Sequence, residues 1–98
     1  MNKRDLIREL AKRTGLRLAQ AQMVLDVLFG VQDEPGIIPV TLRRGEKVVI
    51  PGFGSFTVRT RKARRARNPR TGETIQVPER RVPAFKAGRH LTQFIAEK

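Results

Sequence analysis

The chain has 98 residues, no cysteine, a single histidine and a formal net charge of +12, from 21 Lys and Arg against 9 Asp and Glu. That length fits one domain, the missing cysteines exclude disulfides and thiolate metal sites, and no apolar run is long enough to span a bilayer. The charge is uneven: residues 1–40 carry six basic and five acidic side chains, residues 41–98 fifteen and four, so a polyanion is the expected partner of the second half.

The opening "MNKRDLIREL" is charged from the outset and lacks the apolar core of a signal peptide, which predicts a soluble, cytoplasmic protein. From Lys3 to Arg13 the apolar residues Leu6, Ile7, Leu10 and Ala11 fall on one face of a helix. Asn2 suits its N-cap, Asp5 its first turn and Gly15 its left-handed C′ position. A second helix is predicted from the period of Leu16, Ala19, Met23, Val24, Val27, Leu28 and Val31. Its start is poorly capped at Arg17, and Asp33–Gly36, "DEPG", must stop it because Pro35 lacks an amide hydrogen and restricts Glu34. The two helices are expected to form an antiparallel hairpin.

After Pro39 the pattern changes to period two. "EKVVIPGFGSFTV" predicts strand, turn and strand, with Val48, Ile50, Phe56 and Val58 pointing inward and a tight reversal at Gly52-Phe53-Gly54. Then comes "RTRKARRARNPR", in which seven of twelve residues are Lys or Arg and none is acidic. "NPRTG" at 68–72 reads as a turn and "ETIQV" as the returning strand, so Thr57 to Arg80 forms a long β-ribbon doubling back at Pro69. Arg59, Arg61, Arg65 and Arg67 share one parity, and Lys62, Arg64 and Arg70 the other. Charge on both faces leaves the ribbon nothing to bury, and the segment is expected to be an arm. Ten residues from Arg59 to Asn68 reach roughly 30 Å at about 3.3 Å each, long enough to curve around a duplex. Asn68-Pro69 reads either as turn punctuation or as a rigid apolar wedge that unstacks a base step. The segment Lys86 to Glu97 is expected to be a short C-terminal helix with Leu91, Phe94 and Ile95 on one face.

Without the arm about 74 residues remain, and domains that small bury only about 60% of their unfolded surface. A second copy of the chain, related by a two-fold axis, is the simplest cover for the remaining apolar faces. The nine acids form no paired setting for acid–base catalysis and His90, a surface residue by position, has no second ligand beside it. Neither an enzyme nor a metal site is therefore expected. "LAKRTGLRLAQAQMVL" resembles a helix-turn-helix reader, but its second helix is too apolar for an exposed recognition face. Five Phe without Tyr or Trp disfavour single-strand or RNA stacking platforms, and a membrane-surface binder would need a basic amphipathic helix that is missing.

"GFGSF" at 52–56, "RNPRTGE" at 67–73, "VPAFKAG" at 82–88 and the opening "MNKRDLI" together resemble the bacterial HU / integration host factor (DNABII) family of histone-like, nucleoid-associated DNA-bending proteins. The resemblance covers nearly the whole chain. It implies an α+β fold built as an intertwined dimer: an N-terminal helical hairpin, a small antiparallel sheet with a long protruding β-ribbon arm, and a short C-terminal helix. Residues 1–98 would be one domain, with 1–56 and 81–98 as dimerisation body and 57–80 as arm. It further implies double-stranded DNA as partner, held in the minor groove and bent, no cofactor, no small-molecule substrate and no membrane. Pro69 would be the intercalating wedge, with Arg67, Asn68 and Arg70 at its sides. Arg59, Arg61, Lys62, Arg64 and Arg65 would hold DNA along the arm, and Arg80 and Arg81 would hold it near the arm's base. Lys3, Lys86 and Arg89 would contact phosphates from the body.

"ERRV" at 79–82 is nearer to integration host factor α chains than to HU. A low-specificity, HU-like homodimer and a sequence-selective bender, with a paralogue as partner chain, therefore both stand, with a basic RNA-binding protein as a third reading. The connection "GVQDEPGIIPVTLRRGE" is several residues longer than the family pattern, and its prolines interrupt what is usually continuous helix.

Overall fold

The computed structural model describes residues 1–97. The chain divides into two compact units, one spanning Met1–Arg44 and one starting at Gly45.

The first unit is helical: α1 (Lys3–Thr14), α2 (Leu18–Phe29) and α3 (Ile37–Arg43). α1 is closed at both ends as its sequence predicts. The Asp5 backbone N–H donates to Asn2 Oδ1 (3.0 Å) and the Asn2 N–H to Asp5 Oδ2 (3.3 Å), a reciprocal capping box. Gly15, at φ 78°, donates its N–H to the Ala11 carbonyl. α2 begins without an acceptor side chain on Arg17. The hydrogen bond there runs the other way, from the Arg17 N–H to Gln20 Oε1 at 3.0 Å.

The connection after α2 differs from expectation. α2 stops at Phe29, before "DEPG", with the Gly30 N–H on the Asp26 carbonyl. Val31, assigned by periodicity to the helix, lies outside it and is 71% exposed. The Gly36 N–H returns to the Gly30 carbonyl at 2.7 Å and closes residues 30–36 into a loop. A β-carbon on Gly36 would lie 2.7 Å from the Val27 carbonyl oxygen, so only glycine fits this approach. α3 then forms, where the sequence had suggested no helix. Gly36 is its N-cap, which puts Pro39 in the first turn. An amide hydrogen there has no intrahelical acceptor, so the proline costs nothing.

The second unit holds β1 (Val48–Ile50), β2 (Gly54–Arg61), β3 (Arg64–Arg67), β4 (Thr74–Val77), β5 (Arg80–Ala87) and α4 (Arg89–Ala96). β1, β2 and β5 form an antiparallel sheet in that order, and β3 and β4 a separate two-stranded one. "VPAFKA" belongs to β5, so Lys86 is a strand residue opposite Ser55, and α4 starts three residues later than predicted. Val48, Phe56 and Val58 are half-buried as expected, whereas Ile50 is 41% exposed. The Phe85 ring packs between Phe56 (5.0 Å) and Phe53 (5.6 Å). The "GFG" reversal is tied to α4: the Gly88 N–H donates to the Phe53 carbonyl and the Leu91 N–H to the Gly52 carbonyl.

Little is buried within one chain. Among the described residues only Ala21, Leu25 and Ile38 are buried apolar side chains, while Phe94 and Ile95 of α4 are 74% and 72% exposed.

Candidate nucleic-acid interface

The arm is a ribbon in two segments. β2 and β5 pair from Gly54↔Ala87 out to Arg61↔Arg80, and β3 and β4 resume with Arg64↔Val77 and run to Arg67↔Thr74. Two residues of each strand, Lys62-Ala63 and Pro78-Glu79, separate the segments, so the register is the same on both sides. The lapse coincides with Pro78, which has no amide hydrogen to give a ladder.

Side chains alternate across a strand, and directly paired residues share a face. In the inner segment Arg59, Arg61 and Arg80 therefore stand together, with Thr60 and Arg81 on the opposite face. In the outer segment Arg65 and Arg67 share a face with Thr74 and Gln76, and Arg64 lies on the other face with Ala66, Ile75 and Val77. Carried through the unchanged register, Arg59, Arg61, Arg65, Arg67 and Arg80 share one face. One side of the arm thus gathers these five arginines with Thr74 and Gln76, interrupted by Val82, Ala63 and Pro78, and the other mixes Lys62, Arg64 and Arg81 with Glu79 and a short apolar stripe.

No residue from 59 to 81 is buried, and only Ala66, Asn68 and Val77 are half-buried. None of Arg59, Arg61, Lys62, Arg64, Arg65, Arg67, Arg70 or Arg80 forms an ion pair among the described residues. The arm's two acids, Glu73 and Glu79, pair with none of these cations, and an external anion is the group that would neutralise them.

The turn at the tip is closed by its own hydrogen bonds. The Asn68 N–H donates to the Glu73 carbonyl and the Gly72 N–H to the Asn68 carbonyl, both at 2.8 Å. Asn68 Oδ1 accepts from the Arg70 N–H at 2.9 Å, an Asx turn across Pro69. Thr71 Oγ1 accepts from the Glu73 N–H at 3.3 Å. Pro69 takes part in none of these bonds and is exposed, flanked by Arg67 and Arg70.

The remaining expected contacts are dispersed. Lys86 and Arg89 are exposed at the end of β5 and the first turn of α4. Lys3 lies in the helical unit, where its Nζ is 2.6 Å from Asp26 Oδ1. His90 is exposed, near Gly52. Among the described residues no group of three or more His, Cys, Asp or Glu is placed to hold a metal, and no helix is long and apolar enough to cross a membrane. Thr74 and Gln76, hydrogen-bonding side chains beside Arg65 and Arg67, were not singled out from the sequence. Their place on the cationic face follows once the turn is fixed at Asn68–Glu73.

Comparison with known proteins agrees with this geometry. The DNA-binding protein HU of Geobacillus stearothermophilus is 44% identical over 91 residues, covering 93% of this chain and 94% of that protein. The HU of Staphylococcus aureus is 45% identical over 92 residues, with the same coverage. Among solved structures, an Anabaena HU–DNA cocrystal structure superposes with a TM-score of 0.86 at 38% identity over the whole of both chains. An HU variant from Thermotoga maritima gives 0.67 at 32%, covering 97% of this chain and 99% of that one. The sequence matches the Bacterial DNA-binding protein family over residues 1–96, and the chain belongs to that family.

Proposed function

We propose that this protein is a non-enzymatic architectural factor that binds duplex DNA as a homodimer, lays two arms in the minor groove and bends the duplex. The observation that carries this reading is the exposed ribbon whose five arginines of one face, Arg59, Arg61, Arg65, Arg67 and Arg80, have no acidic partner among the described residues. A two-stranded ribbon fits a groove, and arginine is the side chain that forks onto phosphates and enters narrow minor grooves. Lys62, Arg64, Arg70 and Arg81 extend the contact along the arm. Lys86 and Arg89 add phosphates from the body, and Pro69 enters a base step.

Residues 1–98 act as one domain, with 57–80 as arm and the rest as the body that dimerises. The uncovered apolar faces of α2 and α4 supply the interface, since so few side chains are buried in one copy. The protein works in the cytoplasm, on the nucleoid. The HU names of its relatives favour low sequence preference, governed by deformability, over a site-selective bender.

Titration of the purified protein onto straight and nicked duplexes at two salt concentrations tests this. Binding through about 6–10 phosphates loses roughly 10³–10⁵ in affinity between 50 and 200 mM salt, and the nicked duplex, already deformable, binds tighter. Equal affinity for straight and nicked DNA would remove the bending function. A strong preference for one site would favour the site-selective reading, and displacement of DNA by structured RNA would favour an RNA partner.

A further inference from the structure

Helix α1 carries more positive charge than its own acids answer. Arg4, Arg8 and Lys12 follow one another at four-residue steps, so they stack in a line about 12 Å long on one side of the helix. All three are exposed, and none has an ion-pair partner among the described residues. The two acids of α1 are engaged elsewhere: Asp5 accepts from the Asn2 N–H in the capping box, and Glu9 pairs with Arg13 at 3.0 Å. Like charges at this spacing work against a helix, and Arg4 in the first turn also opposes the helix dipole. An external anion would relieve both.

That anion has to be extended. One strand of a duplex offers a phosphate about every 3.4 Å of its axis, so a line of three cations about 12 Å long matches roughly three to four phosphates of one backbone. A lipid surface fits worse, because α1 packs on α2 with Ile7, Leu10 and Ala11 half-buried, and its apolar side is not free to enter a membrane. The stripe belongs to the helical unit and shares no residue with the arm. Lys3, the α1 residue expected by resemblance to contact phosphate from the body, lies about 140° around the helix from Arg8. We propose that the Arg4–Arg8–Lys12 stripe takes the backbone of a second duplex, so that a protein held on one DNA by its arms bridges it to another. The inference rests on the DNA-binding reading above and deepens it by adding a second DNA surface.

The test makes two measurements on the full chain: affinity for one short duplex across a salt series, and capture of a labelled duplex by protein already bound to an immobilised one. In wild type, capture affinity falls with a log–log salt slope of about 2.7, from three phosphates at about 0.9 each. The triple variant Arg4→Gln, Arg8→Gln, Lys12→Gln keeps the wild-type slope on a single duplex and loses capture. Arg8→Gln alone, the milder change, lowers the capture slope to about 1.8. A triple variant whose single-duplex slope flattens by about 2.7 would place the stripe on the arm-bound duplex and overturn the proposal. Capture that survives the triple variant overturns it too, as does wild-type protein that holds one duplex and captures no second. Wild-type protein that binds no duplex at all defeats the DNA-binding reading instead.

Discussion

Arg61 and Arg80 stand directly opposite each other on the last rung of the β2–β5 ladder, with no acidic partner for either among the described residues. Like charges placed so are unfavourable, on the scale of roughly 0.2–1 kcal/mol that cross-strand pairs carry. A phosphate shared by the two guanidinium groups converts that repulsion into charge-assisted hydrogen bonds. Arg61→Ala is therefore expected to stabilise the free protein by roughly a few tenths of a kcal/mol while weakening duplex binding. Its salt slope should flatten by about 0.9. Thermal unfolding without DNA and affinity across a salt series check the two halves, and a variant that melts lower than wild type contradicts the first.

The interruption of the ribbon separates a stiff base from a looser tip. Inner residues such as Phe56 and Val58 are half-buried in the three-stranded sheet, whereas β3 and β4 have only each other as ladder partners. Two-stranded ribbons are marginal on their own, and weakly buried segments open locally. In the free protein, amides of Arg64–Arg67 should exchange far faster than those of Phe56–Val58, with the outer hairpin gaining protection when DNA is added. Equal protection in both segments of the free protein would show that the arm opens as one unit.

Pro69 can be removed without dismantling the tip. The bonds that close it join Asn68 to Glu73, Gly72 to Asn68 and Arg70 to Asn68, and none uses the proline. Pro69→Ala is thus expected to keep the hairpin and its charges while losing the rigid ring proposed to enter a base step. Bend angle, read by energy transfer between duplex ends, should fall, and the preference for nicked over straight DNA should shrink. Affinity for straight duplex should change least. A bend angle equal to wild type would assign Pro69 to turn geometry alone.

Local chemistry explains which parts of this arrangement were legible in the sequence. The first helix was readable from end to end because its signals are local: Asn2 and Asp5 cap it and Gly15 ends it, whatever the rest of the chain does. The arm was readable because a run so rich in arginine around Asn68-Pro69 has no way to bury its charge. Helix α3 was not, because a proline at the third helical position looks like an interior breaker until Gly36 is known to be the cap. The placement of Lys86 in a strand depended on its pairing with Ser55, a partner some thirty residues away that periodicity cannot see. The pairing of Lys3 with Asp26 is likewise a tertiary fact, invisible to a reading that carries residues over from a family pattern.

Gly54 links the sheet to the aromatic cluster, and a single methyl group there tests how much of the "GFG" motif is architecture. A β-carbon on Gly54 would lie 2.6 Å from both the Lys86 carbonyl oxygen and Phe85 Cζ. Relief requires either the β2–β5 backbone to separate at its Gly54↔Ala87 end or the Phe85 ring to leave its place between Phe53 and Phe56. Overpacking of this kind typically costs about 1–3 kcal/mol. Gly54→Ala should lower the denaturant midpoint accordingly, with the slope of the unfolding transition unchanged. The arm's cations are untouched, so the fraction still folded should retain the wild-type salt slope for duplex binding. A variant as stable as wild type would mean that the strand ends yield freely and that the close approach does not require glycine at Gly54, whose φ is not positive.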